Sequence, residues 1–183
     1  MGSSRPAKLS EARDNISRPA RFAIQFVACF LAGIGLVLLP STQTADGQFS
    51  RALVKVSHGL IAVGGGTATV EGAILRAPSG FAIEMKDGCN GINVMILLWA
   101  AVLAFPAPWK MKALGLAAGS LMIQILNVAR FISLFYLGQY STTWFEFAHA
   151  YLWETLLILD TMVVFGLWVS RVSAARTDRC ACP

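Results

Sequence analysis

Charge is scarce in this chain, and acidic charge is scarcer still. Only 14% of the 183 residues are charged against 56% hydrophobic, and 15 Lys and Arg outnumber 10 Asp and Glu. So apolar and short a sequence excludes a multidomain soluble protein and reads as one compact membrane domain. The net charge of +5 does not signal nucleic acid. Its basic residues sit in short groups flanking apolar runs rather than in one aromatic-studded stripe. No internal repeat or low-complexity tract occurs. With 2 His and 4 Cys, any chemistry resting on imidazole or thiol has few candidates.

The apolar residues that replace charge come in runs. A helix needs roughly 20 of them to cross the hydrocarbon core, and four stretches approach that length: 22–39, stopped by Pro40; 89–105, ended by Pro106 and Pro108; 112–137, interrupted by Asn127 and Arg130; and 149–169, carrying Glu154 and Asp160. The expected fold is therefore mainly α, a polytopic membrane protein with about four transmembrane helices. Residues 22–172 form the embedded domain, between a polar, Pro-containing tail over 1–21, read as flexible, and a short tail over 173–183. The basic leader before the first run invites comparison with a secretory signal, but leader and core are both long for a cleaved one. The first run reads as a retained anchor.

Lys and Arg collect on the cytoplasmic side of short loops. Arg5, Lys8, Arg13, Arg18 and Arg21 precede the first span, Lys110 and Lys112 separate the second from the third, and Arg171, Arg176 and Arg179 follow the fourth. All three segments belong on the cytoplasmic side, which puts both termini there. The segment 138–148 has no Lys or Arg and 41–88 has four spread along it, so these belong outside. Cys89 and His149 then open spans from the outer face. Arg130 lies roughly 27 Å along its helix from Lys112, near the outer edge of a core about 30 Å thick.

The outer segment before Cys89 reads as a short interfacial helix followed by a small β-hairpin. Phe49, Leu53, Val56 and Leu60 fall at helical spacing with Arg51 and Lys55 off that face. After the glycines at 64–66, residues 67–75 and 81–85 look extended, with Ala77-Pro78-Ser79-Gly80 as the turn. The hairpin leads into Asp87-Gly88-Cys89-Asn90-Gly91.

Each polar candidate has a bland reading beside its chemical one. A membrane cysteine is usually inert packing, as Cys29 in mid-span is. Cys89 instead sits in a polar, glycine-flanked setting where a helix should begin, and the positive end of the macrodipole favours thiolate there. No other cysteine falls on the outer side to pair with it. Cys180 and Cys182 lack further clustered ligands for a structural zinc site and are assigned no role. Arg130 is costly within a span and needs a partner or a polar cavity; Asn127 shares its face, and Glu154, about 7.5 Å below His149 on the next helix, could pair with it. His149 could be a belt residue or a general acid/base oriented by Glu146. His58, on an amphipathic face, is left out. Asn90, Asn93 and Gln124 could line the same cavity as Cys89, and Asp160 has no evident partner.

The order of these elements resembles the exosortase and archaeosortase family of membrane-embedded sorting enzymes. The resemblance lies in Gly88-Cys89-Asn90-Gly91-Ile92 heading one span, Asn127-Val128-Ala129-Arg130-Phe131 near the end of the next, and His149 opening the last. It covers about 70–169, and the compactness is similar to the short exosortases, the exosortase H type among them. The resemblance implies cleavage of a C-terminal sorting signal (a short motif, a transmembrane helix and a basic tail) from an exported, membrane-anchored protein. In that reading Cys89 is the nucleophile, His149 the acid/base and Arg130 the oxyanion stabiliser, and no metal or organic cofactor is needed; Asn90, Asn93, Asn127, Glu146 and Glu154 are the neighbours read above as supporting them. The competing expectations are a noncatalytic membrane scaffold pinned by an Arg-Glu-Asp cluster, and a small transporter.

Overall fold

The computed structural model describes residues 5–180 apart from Asp87, with side chains over 19–175. The chain runs as α1 (Arg5–Val37), α2 (Pro40–Val63), three short strands β1 (Thr69–Glu71), β2 (Ile74–Arg76) and β3 (Ala82–Glu84), α3 (Ile92–Ala104), α4 (Trp109–Tyr140), α5 (Thr142–Phe147), a π-helical turn (Ala148–Leu152) and α6 (Trp153–Cys180). Three segments are long and apolar enough to cross a membrane: Pro19–Val37, Trp109–Tyr140 and the nearly continuous Thr142–Ala175. This is a mainly α, multi-pass membrane protein. The stretch expected as the second span, 89–105, holds the shorter apolar helix α3, whose 13 residues rise about 20 Å. Residues 5–18 continue α1 as helix, where their composition suggests a flexible tail.

Between lipid-embedded helices close packing replaces the hydrophobic driving force, and small residues permit it. Gly33 of α1 sits against Ile96 of α3, where a Cβ would come within 2.6 Å of the Ile96 side chain, and Gly119 of α4 receives Leu98. α3, α4 and α6 pack on one another, and α1 lies along α3. At one end Phe105 packs edge-on against Phe22, Phe165 and Trp168, and Trp168 Nε1 donates to the Met111 carbonyl at 2.8 Å. Arg21, Lys110 and Lys112 belong to this end.

The opposite end is roofed by α2 and the sheet. Leu53, Val54 and Ile61 of α2, Leu75, Ile83 and Met85 of the strands, and Val128, Phe131, Leu134 and Phe135 of α4 form one buried cluster. One expectation changes here. The stretch 67–75 is not one strand: Glu71 pairs with Ile74 across a two-residue turn, with Gly72 at φ 65°, so the hairpin becomes a three-stranded antiparallel meander in the order β1-β2-β3. Glycine at the first turn position is what such a tight connection requires. The stripe of α2 that meets protein lies beside the apolar face that the sequence pattern turns to the membrane interface. It carries Ser50, Leu53, Val54, Ser57 and Ile61, while Val56 and Leu60 are each 52% exposed. An apolar surface facing lipid costs nothing, whereas Ser50 must face protein to meet Asn90.

Candidate active site

Two left-handed glycines shape the turn that holds Cys89. Gly88 has φ 86° and Gly91 φ 82°, a region where a Cβ would be strained. The Cys89 amide donates to the Lys86 carbonyl at 3.0 Å, and the thiol is half-buried. Helix α3 begins at Ile92 with Gly91 as its N-cap, so Cys89 lies in the turn before the helix and does not open it. The macrodipole acts mainly within the first turn and reaches the thiol only across Asn90 and Gly91.

Asn90 fixes this turn. It is 0% exposed, and every polar atom of its side chain is engaged. Nδ2 donates to the Asp46 carboxylate and to Ser50 Oγ (3.1 Å), both on α2, while Oδ1 accepts the Ile92 amide at 3.1 Å and so caps α3. Its backbone carbonyl accepts from Gln124 Nε2 of α4 at 3.2 Å. One residue beside Cys89 therefore ties α2, α3 and α4 together. Asn90 and Gln124 serve this clamp and do not line the cavity described below. Asp46 and Ser50 went unnoticed in the sequence, because a single Asp on an interfacial helix carries no motif.

Arg130 projects from α4 at 4% exposure, and its Nη2 donates to Glu154 Oε1 of α6 at 3.0 Å. The pair uses only part of a guanidinium that has five N–H donors. His149 lies in the π-helical turn between α5 and α6, half-buried, with its ring 5.8 Å from that of Phe145. Single π turns inside α-helices recur at functional sites because the added residue re-aims side chains.

Cys89, Arg130 and His149 line one cavity of about 340 Å³, closed by the β3 segment Ala82–Lys86 and by Phe131, Leu134 and Phe145. Glu84 and Lys86, exposed residues of that segment, also line it. The other expected residues sit apart. Asn93 is exposed beside Gly88. Asn127 packs behind Gly91 at 1% exposure, with neither amide atom hydrogen-bonded. Glu146 is exposed and does not line the cavity. Asp160 Oδ2 is buried without a hydrogen-bond partner. His58 ties α2 to the residue before β1 through the Ala68 carbonyl, 3.1 Å away. The side chains of Cys180 and Cys182, and Asp87, lie outside the described residues.

This arrangement of thiol, imidazole and guanidinium over a short helix can be set beside known families. The family description transmembrane exosortase matches residues 17–169. The chain belongs to the transmembrane exosortase family. Comparison with curated proteins and with solved structures gives no significant match. The matched stretch spans every residue of the exosortase cavity, from Ala82 to His149, and membership supports a membrane transpeptidase role in general.

Proposed function

We propose that this exosortase cleaves a C-terminal sorting signal from membrane-anchored proteins through an acyl-enzyme on Cys89. The convergence of Cys89, Arg130 and His149 in one cavity at the roofed end of the bundle carries the reading. Cys89 gives its proton to His149 and its sulfur attacks the scissile carbonyl. Arg130, held by Glu154, donates from its remaining N–H groups to the oxyanion. As the C–N bond breaks, His149 returns the proton to the leaving amine, and a thioester remains on Cys89. His149 then takes a proton from the acceptor, water or an envelope amine or hydroxyl, whose oxygen or nitrogen displaces the thiolate. The site faces outward across a bacterial-type inner membrane, with both termini cytoplasmic, in keeping with Arg21, Lys110 and Lys112 at the far end.

The substrate carries a short motif, a transmembrane helix and a basic tail. The Arg130–Glu154 pair equally suits a noncatalytic scaffold, and one experiment separates the two. Such a substrate from the same genome is coexpressed with wild type, Cys89→Ala, Cys89→Ser and His149→Ala, and loss of its tail is followed by intact mass. Wild type is expected to process it and Cys89→Ala to leave it whole. Normal processing by Cys89→Ala would end the cysteine mechanism, and retention by His149→Ala alone would move the acid/base role elsewhere.

A further inference from the structure

Away from the Cys89 cavity, at the opposite end of the bundle, a second cavity of about 520 Å³ opens between α1 and the α3–α4 connection. Its polar lining is Arg21, Gln25 and Lys112, over Phe22 and Phe105. The two cations come from different helices and converge. Lys112 Nζ donates to the Leu103 carbonyl at 2.6 Å and lies 5.4 Å from the Trp109 ring centroid, which holds the ammonium in place with N–H donors to spare. Among the described residues no carboxylate lines the cavity or pairs with either cation.

One turn deeper along the same seam lies a groove of about 190 Å³, lined by Phe26, Leu97, Ala101, Met162 and Phe165 among others. Thr161, its one polar residue, turns its hydroxyl to the Leu157 carbonyl. The two spaces are adjacent. Phe22 stacks on Phe26, and Phe105, on the polar cavity, packs against Phe165 in the groove at 6.2 Å. Phe26 stands about 7.5 Å along α1 from Arg21. Two cations and an amide at the membrane boundary, followed at once by an apolar slot running toward the bilayer centre, have the head-and-tail form of a phospholipid.

We infer that this site binds an anionic phospholipid, its phosphate between Arg21 and Lys112 and an acyl chain in the Phe26–Ala101–Met162 groove. Charge selects among headgroups. The ammonium of a zwitterionic lipid would need a carboxylate that the described lining does not offer, while an anionic headgroup leaves both cations satisfied. Basic pockets between transmembrane helices are a recurrent solution for such headgroups. The inference does not depend on the chemistry at Cys89.

The test uses the full chain in nanodiscs holding phosphatidylglycerol and phosphatidylcholine in equal amounts, with lipids retained on ejection identified by native mass spectrometry. Wild type is expected to keep phosphatidylglycerol in preference, and Arg21→Gln and Lys112→Gln each to reduce that preference about fivefold. Lys110→Gln, off the cavity, should leave it unchanged. Ala101→Phe, which fills the groove and leaves both cations in place, should lower retention several-fold. Excess inorganic phosphate or glycerol phosphate should displace little lipid, because neither fills the groove. Equal retention of the two lipids would overturn the site, as would an effect of Lys110→Gln equal to that of the cavity cations. Displacement by free phosphate to the same extent in wild type and Ala101→Phe would overturn the acyl slot and leave a simple anion site.

Discussion

The two ends of the Arg130–Glu154 pair live in different surroundings: the arginine side chain is 5% exposed and the glutamate 53%. Glu154→Ala strands a buried cation. Arg130→Met removes that cation, substitutes an apolar chain of similar reach and leaves a carboxylate that the protein only half encloses. A hydrogen bond to a charged group contributes about 1.5–3 kcal/mol, and half-exposure of the carboxylate screens part of it. Glu154→Ala should therefore cost about 1–2 kcal/mol. Arg130→Met should cost under about 1 kcal/mol, since replacing a buried ion by an apolar group is often neutral. Activity should rank the other way. Arg130→Met loses the oxyanion donor, a loss on the order of 100-fold or more, while Glu154→Ala keeps the donor and loses only its aim. Unfolding in mixed micelles, followed by tryptophan fluorescence, gives the stability order, and the initial rate of tail removal gives the activity order. If Arg130→Met proves both the less stable variant and the more active one, the ion pair is structural and Arg130 is not the oxyanion donor.

Other substitutions probe the turn and the helix that carry the remaining groups. Asn90→Ala empties the clamp among Asp46, Ser50 and Ile92 and should destabilise by about 1–3 kcal/mol; Asn90→Asp, which sets a second carboxylate against Asp46, should be worse near neutral pH than in mild acid, read by the same unfolding assay. Gly91→Ala forces a Cβ into a left-handed residue, at about 1–2 kcal/mol, and toward Gln124 Nε2, 3.1 Å away; tail removal should fall and labelling of Cys89 by a thiol probe should change with it. Deletion of Ala150 closes the π turn into a regular helix and rotates His149 by about 100° relative to α6. Membrane insertion should survive and processing should not, and processing at the wild-type rate would show that the π turn does not aim the imidazole.

What the sequence made legible and what it hid divide along a physical line. The apolar runs and the placement of Lys and Arg carry position along each span, and that suffices to bring Cys89, Arg130 and His149 to one end of the bundle, because each stands at or near the end of its run. Rotation about a helix axis is another matter. It depends on where hydrogen bonding begins and on local changes of period, and neither has a compositional signature here. Thus Cys89 falls three residues ahead of α3, because Gly91 is the N-cap of that helix and Asn90 accepts its first amide, from Ile92. The facing of His149 likewise follows from a π turn that a run of Ala, His, Tyr and Leu does not announce. Asp46 is the extreme case, a lone acid 43 residues before Cys89 whose carboxylate reaches the residue beside it. Two acids position groups at this site: Asp46 holds Asn90 in the turn beside Cys89, and Glu154 holds Arg130. In the proposed mechanism direct contact with substrate falls to a thiol, an imidazole and a guanidinium, and the roof that aligns the first of these is set by α2 through Asp46 and Ser50.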